Sequence, residues 1–433
     1  METYAGERRE LKPSARYPGG AAAQERTLLD VLGATAAAYP DAAALDVGTA
    51  ILTYAELTAE VAVLAGRLAG QGVGLGDRVG VRITSGTAEL YLTILGVLAA
   101  GAAYVPVDVD DPDERAEVVW EQAGVCLVVS DGGEFTAYGP AGGVPGRPTP
   151  ADDAWIIFTS GSTGAPKGVA VTHRSAAAFV DAEARLFVPD QPIGPGDRVL
   201  AGLSVAFDAS CEEMWLAWRN GACLVPATRA LVKAGAELGP WLVERRISVV
   251  STVPTLAGLW PAAALAGIRL LILGGETCPA ELVNRLAAPQ RQIWNTYGPT
   301  EATVVACATE LIAGEPVRIG LPLAGWDLAV VGPNGRPVGW GEAGELIIGG
   351  VGLARYLDPV KDAEKFAAVP ELGWGRAYRT GDLVRANREG LVFLGRGDGQ
   401  IKLGGRRLEL GEIDAALLRL PGVVMAASAL RRT

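Results

Sequence analysis

One histidine, His173, and three methionines are all that 433 residues contain of these types, and the cysteines number only five. A single imidazole argues against a multi-histidine metal centre. His173 itself is read as a packing or hydrogen-bonding residue before a general base. Cys126, Cys211, Cys223, Cys278 and Cys307 are scattered, odd in number and form no C-x-x-C pair, which argues against a disulfide framework or a zinc cluster and fits a reducing cytoplasm. Positive charge is in deficit as well: 38 Lys+Arg against 49 Asp+Glu leave a net charge of -11. Such a balance disfavours nucleic acid as a partner and is compatible with a cationic substrate. Long apolar runs are nearly absent. Only Leu90–Val107 is uncharged for the length of a membrane span, and Gly101, Pro106 and Asp108 mark it as a buried helix running into a strand, so no membrane contact is expected. The N-terminus, "METYAGERRELKPSARYPGG", has charge and proline but no apolar core; residues 1–27 read as a flexible leader and not as a signal peptide.

What is abundant is turn-bounded apolar sequence. With 49% hydrophobic residues, 57 Gly and 27 Pro, the chain is globular, and its length suggests two or three packed units. The runs "RVGVRI", "VCLVVS", "AWIIFTS", "ISVVSTV", "RLLILGG", "DLAVV" and "GELIIGG" read as strands. Helical segments such as "YAELTAEVAVLAGRLAGQG" and "AELVNRLAAP" lie between several of them, an alternation that predicts an α/β protein with largely parallel sheets. Residues 131–153 are Gly- and Pro-rich and read as a loop. No period of solenoid or propeller length is visible.

Two stretches carry chemistry. In "AWIIFTSGSTGAPKG" an apolar strand leads into Thr159, Ser160, Gly161, Ser162, Thr163 and Gly164, followed by Lys167. Glycines admit close approach of backbone N–H groups, hydroxyls donate and lysine adds charge, so the segment suits phosphate oxygens. It is not a P-loop, because Pro166 stands where that pattern needs glycine before the lysine. The second stretch, "FDASCEEM", sets Asp208, Glu212 and Glu213 among apolar neighbours. If it is helical, Glu212 lies about 6 Å from Asp208 along one face, while Glu213 is turned away by roughly 100°. A buried pair of carboxylates is costly unless a cation or hydrogen bonds offset it.

From about residue 28 to 420, eight motifs occur in one order: "LTYAEL", "LAAGAAYVPVD", "FTSGSTGAPKG", "FDAS", "NTYGPTE", "GELIIGGVGLARYL", "YRTGDL" and "GRGDGQIKLGGRRLELGEID". In this series the chain resembles the amino-acid adenylation domains of nonribosomal peptide synthetases, within the adenylate-forming enzymes. The wording "VPVDVDDPDERAE" and "EEMWLAWRNGACLVPA" further looks like ε-poly-lysine synthetases. The resemblance implies a large N-terminal adenylation subdomain of packed sheets and helices over 28–398 and the start of a small α+β lid over 399–433. It also implies ATP and Mg²⁺ as reactants and a carrier-protein domain as partner. An amino-acid carboxylate attacks the α-phosphate, pyrophosphate leaves, and a carrier thiol takes the aminoacyl group. Both reacting groups come from substrates, so such catalysis is mainly alignment and charge stabilisation.

Carried over to this sequence, the resemblance implies catalytic roles for Lys167, Thr163 and Glu301, with Glu301 as magnesium ligand. Thr159, Ser160, Gly161, Ser162, Gly164, Gly275, Glu276, Asn295, Thr296, Tyr297, Gly298, Thr300, Asp382 and Arg396 would contact ATP, with Asn295 at the adenine edge, Tyr297 on its face and Asp382 on the ribose hydroxyls. Asp208 would bind the substrate α-ammonium group, which disfavours an acyl- or aryl-CoA ligase. Glu212 would meet a basic side chain, with Ala209, Ser251, Ile272, Gly274, Thr296, Val304 and Val305 completing a lining similar to the family's lysine pockets. L-Lysine is the expected substrate; ornithine and 2,4-diaminobutyrate stay open. Two departures stand out. "GLARYL" lacks a glycine between Arg355 and Tyr356, and the sequence stops before the family's Asn-Gly-Lys lysine, so slow or absent adenylate formation is expected, with a binding module without turnover as the alternative. Asp398 corresponds to the family's hinge.

Overall fold

A computed structural model describes residues 14–160 and 166–397, the backbone of 401–403 and 406–408, and isolated positions between 413 and 428. Gly161, Ser162, Thr163, Gly164 and Asp398 lie outside the described residues.

Two large sheets form the body. The nine-stranded sheet centres on parallel strands Val249–Thr252, Leu270–Gly274 and Gln292–Tyr297, and Arg198–Ala201 continues it in parallel beside Val249. The seven-stranded sheet centres on Arg78–Arg82, Ala103–Pro106 and Asp153–Thr159, also parallel. The uncharged run from Leu90 resolves into the helix Ala88–Ala99 and the strand Ala103–Pro106, separated by Gly101 at φ 87°. A side chain there would be strained. Among the described residues no helix is long and apolar enough to cross a membrane.

The third sheet corrects the expectation of largely parallel pairing. Arg16–Pro18, Trp326–Val331, Ala343–Gly350, Trp374–Arg385, Phe366–Val369 and Val392–Arg396 pair antiparallel throughout. "DLAVV" and "GELIIGG" have no crossover helix between them, and without one neighbouring strands can only run antiparallel. Within the stretch read as a flexible leader, Arg16–Pro18 supplies the edge strand of this sheet. Within the Gly- and Pro-rich 131–153 stretch, Glu134–Ala137 pairs antiparallel with Leu127–Ser130. In the stretch read as the start of a small lid, Ile401–Leu403 pairs antiparallel with Arg406–Leu408.

Two helices matter for the site. His173–Leu186 packs on the seven-stranded sheet, Ala209–Asn220 packs on the nine-stranded sheet, and the helices pack on each other. Asp181, 3% exposed, ties them: it accepts from Arg219 on the second helix and from Arg26 in the segment before the helix Leu28–Ala38. His173 opens the first helix fully buried, its Nδ1 accepting from the Leu28 amide at 3.3 Å. It is a hydrogen-bonding residue, in keeping with the sequence reading.

Burial pushes the His173 imidazole down to about 4, against the weaker pull of Asp152 and Asp30. A base with a depressed folded value contributes stability above its unfolded value, lost as pH falls toward the folded one. Denaturation between pH 6.5 and 4 should therefore show a loss of about 3 kcal/mol in the native protein that is largely missing in His173→Gln.

Candidate active site

The carboxyl ends of the parallel strands converge on a cavity of about 500 Å³. Open parallel sheets place ligands at this edge. Strand Val249–Thr252 delivers Ser251 and Thr252, Leu270–Gly274 delivers Gly274 and Gly275, and Gln292–Tyr297 delivers Thr296, Tyr297 and Gly298. Arg198–Ala201 leads through Leu203, Ser204, Ala206 and Phe207 to Asp208. Thr159 and Ser160 end the opposite sheet's strand on the same cavity, and Asp382 and Arg396 reach it from the antiparallel sheet.

"FDASCEEM" is helical as the spacing predicts. Asp208 occupies the N-cap position with helical φ/ψ, and the helix runs from Ala209 to Asn220. Asp208, Ala209 and Glu212 all line the cavity, the two acids being 6% and 2% exposed. Ser251 Oγ donates to Glu212 Oε2. Burial pushes the Glu212 carboxyl up, opposed by its hydrogen bonds with Glu183 and Ser251. Glu213 faces away, fully buried, and accepts from the Gly202 and Leu203 amides at 2.9 and 3.1 Å. Its oxygens hold the loop that delivers Asp208.

Thr296, Gly274, Val304 and Val305 complete the wall around these acids. A Cβ on Gly274 would stand 2.6 Å from Thr296 Oγ1, so glycine keeps the floor open. A Cβ on Gly298 would strike the Val304 carbonyl oxygen, which fixes glycine where the chain doubles back. That return passes through Thr303 and Val304 at φ 59° and 63°, a left-handed conformation that a β-branched residue rarely adopts.

Asp382 is 4% exposed; its Oδ2 accepts from the Tyr297 hydroxyl and its Oδ1 from Arg396 Nη1 at 2.7 Å. Tyr297 therefore comes with a hydrogen-bonded hydroxyl and a ring tilted against Phe393, 6.3 Å between centroids. Lys167 and Glu301, both expected at the site, are not on the cavity wall; Tyr356 links them, with Lys167 Nζ 6.0 Å from its ring centroid and its hydroxyl donating to Glu301 Oε1 at 2.6 Å.

Not every expected residue reaches the wall. Ile272 is fully buried in its strand among the core apolar residues. Asn295 Nδ2 donates to the Arg318 carbonyl at 2.6 Å, which occupies the side chain on the neighbouring backbone. Glu276 accepts from the amide and hydroxyl of Thr255 outside the cavity. Phe207, Leu203, Ser204, Asp111 and Arg115 are wall residues that the sequence did not single out. All but Leu203 and Ser204 lie inside quoted stretches, Phe207 in "FDAS" and Asp111 and Arg115 in "VPVDVDDPDERAE", so the signal was there to be read.

A paired-sheet α/β body with buried carboxylates and strand-end glycines around one cleft is the architecture of an adenylate-forming enzyme. The chain belongs to the AMP-binding enzyme family, which matches residues 32–357, and within it is an adenylation domain of the nonribosomal peptide synthetase type. It is 38% identical over 437 residues to the delta-poly-L-ornithine synthetase of Acinetobacter baumannii, covering 94% of this chain and 32% of that protein. It is 41% identical over 408 residues to a linear gramicidin synthase of Brevibacillus parabrevis, covering 89% and 5%. The chain thus spans a third or less of these two relatives. An artificially fused adenylation-PCP di-domain from Klebsiella oxytoca superimposes with a TM-score of 0.82 at 27% identity, covering 93% of this chain and 85% of that one. A four-domain nonribosomal peptide synthetase bound to AMP and glycine gives 0.77 at 30% identity, covering 96% and 32%.

Replacing Glu213 by alanine leaves the part-buried amides of Gly202 and Leu203 without this acceptor. Chemical denaturation should show a loss of about 2–4 kcal/mol, and Glu213→Gln a smaller one.

Proposed function

We propose that this chain activates a basic amino acid, L-lysine, as an aminoacyl adenylate at the expense of ATP, for transfer to a carrier-protein thiol in the cytoplasm. The observation that carries the reading is Glu212: a carboxylate 2% exposed, on the cavity wall one helical turn from Asp208. Asp208 holds the α-ammonium group and Glu212 the side-chain ammonium, so the two carboxylates measure the distance between two positive charges. A buried carboxylate is tolerable where a cation or hydrogen bonds offset it, and a dicationic ligand supplies the first.

In the reaction an oxygen of the amino-acid carboxylate forms a bond to the α-phosphorus while the bond to the bridging oxygen breaks and pyrophosphate departs. No protein nucleophile takes part. Thr159, Ser160 and Lys167 cradle phosphate oxygens, with Gly161, Ser162, Thr163 and Gly164 between them in sequence. Thr159 Oγ1 is buried with no hydrogen-bond partner among the described residues, as a donor reserved for a ligand would be. Tyr297 faces the adenine and Asp382 accepts from the ribose hydroxyls. Glu301 is a hard oxygen ligand positioned by Tyr356 beside Lys167, a single carboxylate of the sort that holds Mg²⁺ together with substrate phosphates. When bound, that ion would neutralise phosphate charge.

The likeness to a poly-ornithine synthetase supports a dibasic substrate and makes ornithine the alternative to lysine. Calorimetric titration of Lys, Orn, 2,4-diaminobutyrate, Leu and Glu in the presence of ATP ranks them, and lysine should bind most tightly. Glu212→Gln should weaken lysine binding about 10- to 100-fold while leaving ATP affinity nearly unchanged. Leucine binding as tightly as lysine to the native protein would sink the reading.

A further inference from the structure

Glu183 lies on the helix His173–Leu186 and is 2% exposed. Its carboxyl and that of Glu212 act on each other where the two helices pack together, and Oε1 of each is buried. Among the described residues, no amide, hydroxyl or cation donates to Oε1 of either group. Two carboxyls can hydrogen-bond only if one carries a proton, since an ionised carboxylate is acceptor-only. The other oxygen of Glu212 accepts from Ser251 Oγ, and a donor of that kind favours the charged form. Ionised Glu212 and neutral Glu183 is therefore the arrangement that satisfies both.

The surroundings enforce it. Asp208 and Glu213 act on Glu212 or feel its charge from the same helix, and Ser251 is its neutral neighbour from the strand Val249–Thr252. Among the described residues, the one charged group acting on Glu183 is Glu212. Burial, with the Glu212 charge added, holds the Glu183 carboxyl well above the usual range.

We propose that Glu183 is a positioning and specificity-determining residue: by donating its proton to Glu212 it fixes that carboxylate toward the cavity and limits the pocket floor to one negative charge, the match for one side-chain ammonium. The inference rests on the reading of the cavity as a basic amino-acid site. One ammonium against one charge leaves the dry floor neutral, whereas a doubly ionised pair would leave it charged. Lysine then binds without expelling a proton.

The test is calorimetry of lysine binding to the full chain at neutral pH in two buffers of different ionisation enthalpy, which counts protons exchanged. The native protein should exchange close to none. Glu183→Gln keeps a donor of the same shape and should bind lysine within about threefold of native, whereas Glu183→Leu, which has no donor, should bind it at least about tenfold more weakly with ATP affinity unchanged. Release of one proton per lysine by the native protein, or a tenfold loss in Glu183→Gln, overturns the proposal, because Glu183 would then act as an anion. Infrared spectra of the ligand-free protein separate this from failure of the substrate assignment. A protonated-carboxyl band that Glu183→Gln removes supports the shared proton even if leucine binds as well as lysine, and absence of any such change overturns it whatever the ligand.

Discussion

A carboxyl buried between two packed helices, with no protein cation acting on it among the described residues, is the constraint around which this site is arranged. Glu212 sits where the helices His173–Leu186 and Ala209–Asn220 meet, with Ser251 as hydroxyl donor and Glu183 as carboxyl partner. Charge in such a place is tolerated only when hydrogen bonds or an incoming cation compensate it. The three acids of one short stretch are consequently employed in different ways. Asp208 opens the helix toward the cavity, Glu212 faces it one turn later, and Glu213 turns back to hold the loop at Gly202 and Leu203.

The rest of the fold supplies rigid approaches to that point. Parallel strands end at the cavity with small or hydroxyl-bearing residues, and the helix pair is locked from behind by Asp181 between Arg26 and Arg219. The antiparallel sheet brings Asp382 and Arg396 from the far side as a prearranged pair. Asp382 and Arg396 therefore stand on a different sheet from Asp208 and Glu212, while Thr296 and Tyr297 share one strand between them.

Much of this was legible in the sequence because it is local. The spacing of Asp208 and Glu212 needed only one helical turn, and the strand ends were marked by glycine. Glu183 was not legible: in "AAAFVDAEARL" it looks like a solvent-facing glutamate of an alanine-rich helix, and its burial arises from packing against a helix about thirty positions later. Asn295 shows a contact the motif did not announce, its side-chain amide donating to the Arg318 backbone carbonyl. The antiparallel third sheet was missed because short apolar runs look the same whichever way their neighbours run.

The left-handed turn at Thr303 and Val304 ties the shape of the cavity wall to backbone energy. Conformations of this kind cost of order 1–3 kcal/mol per residue, and Val304 is at once a wall residue and a strained hinge two residues beyond the short helical turn that carries Glu301. Reshaping the pocket by exchanging this valine would alter the wall and the backbone energy of the Glu301 turn together. At Ala209 or Ser251, also on the wall, a change of side chain meets no left-handed backbone of this kind.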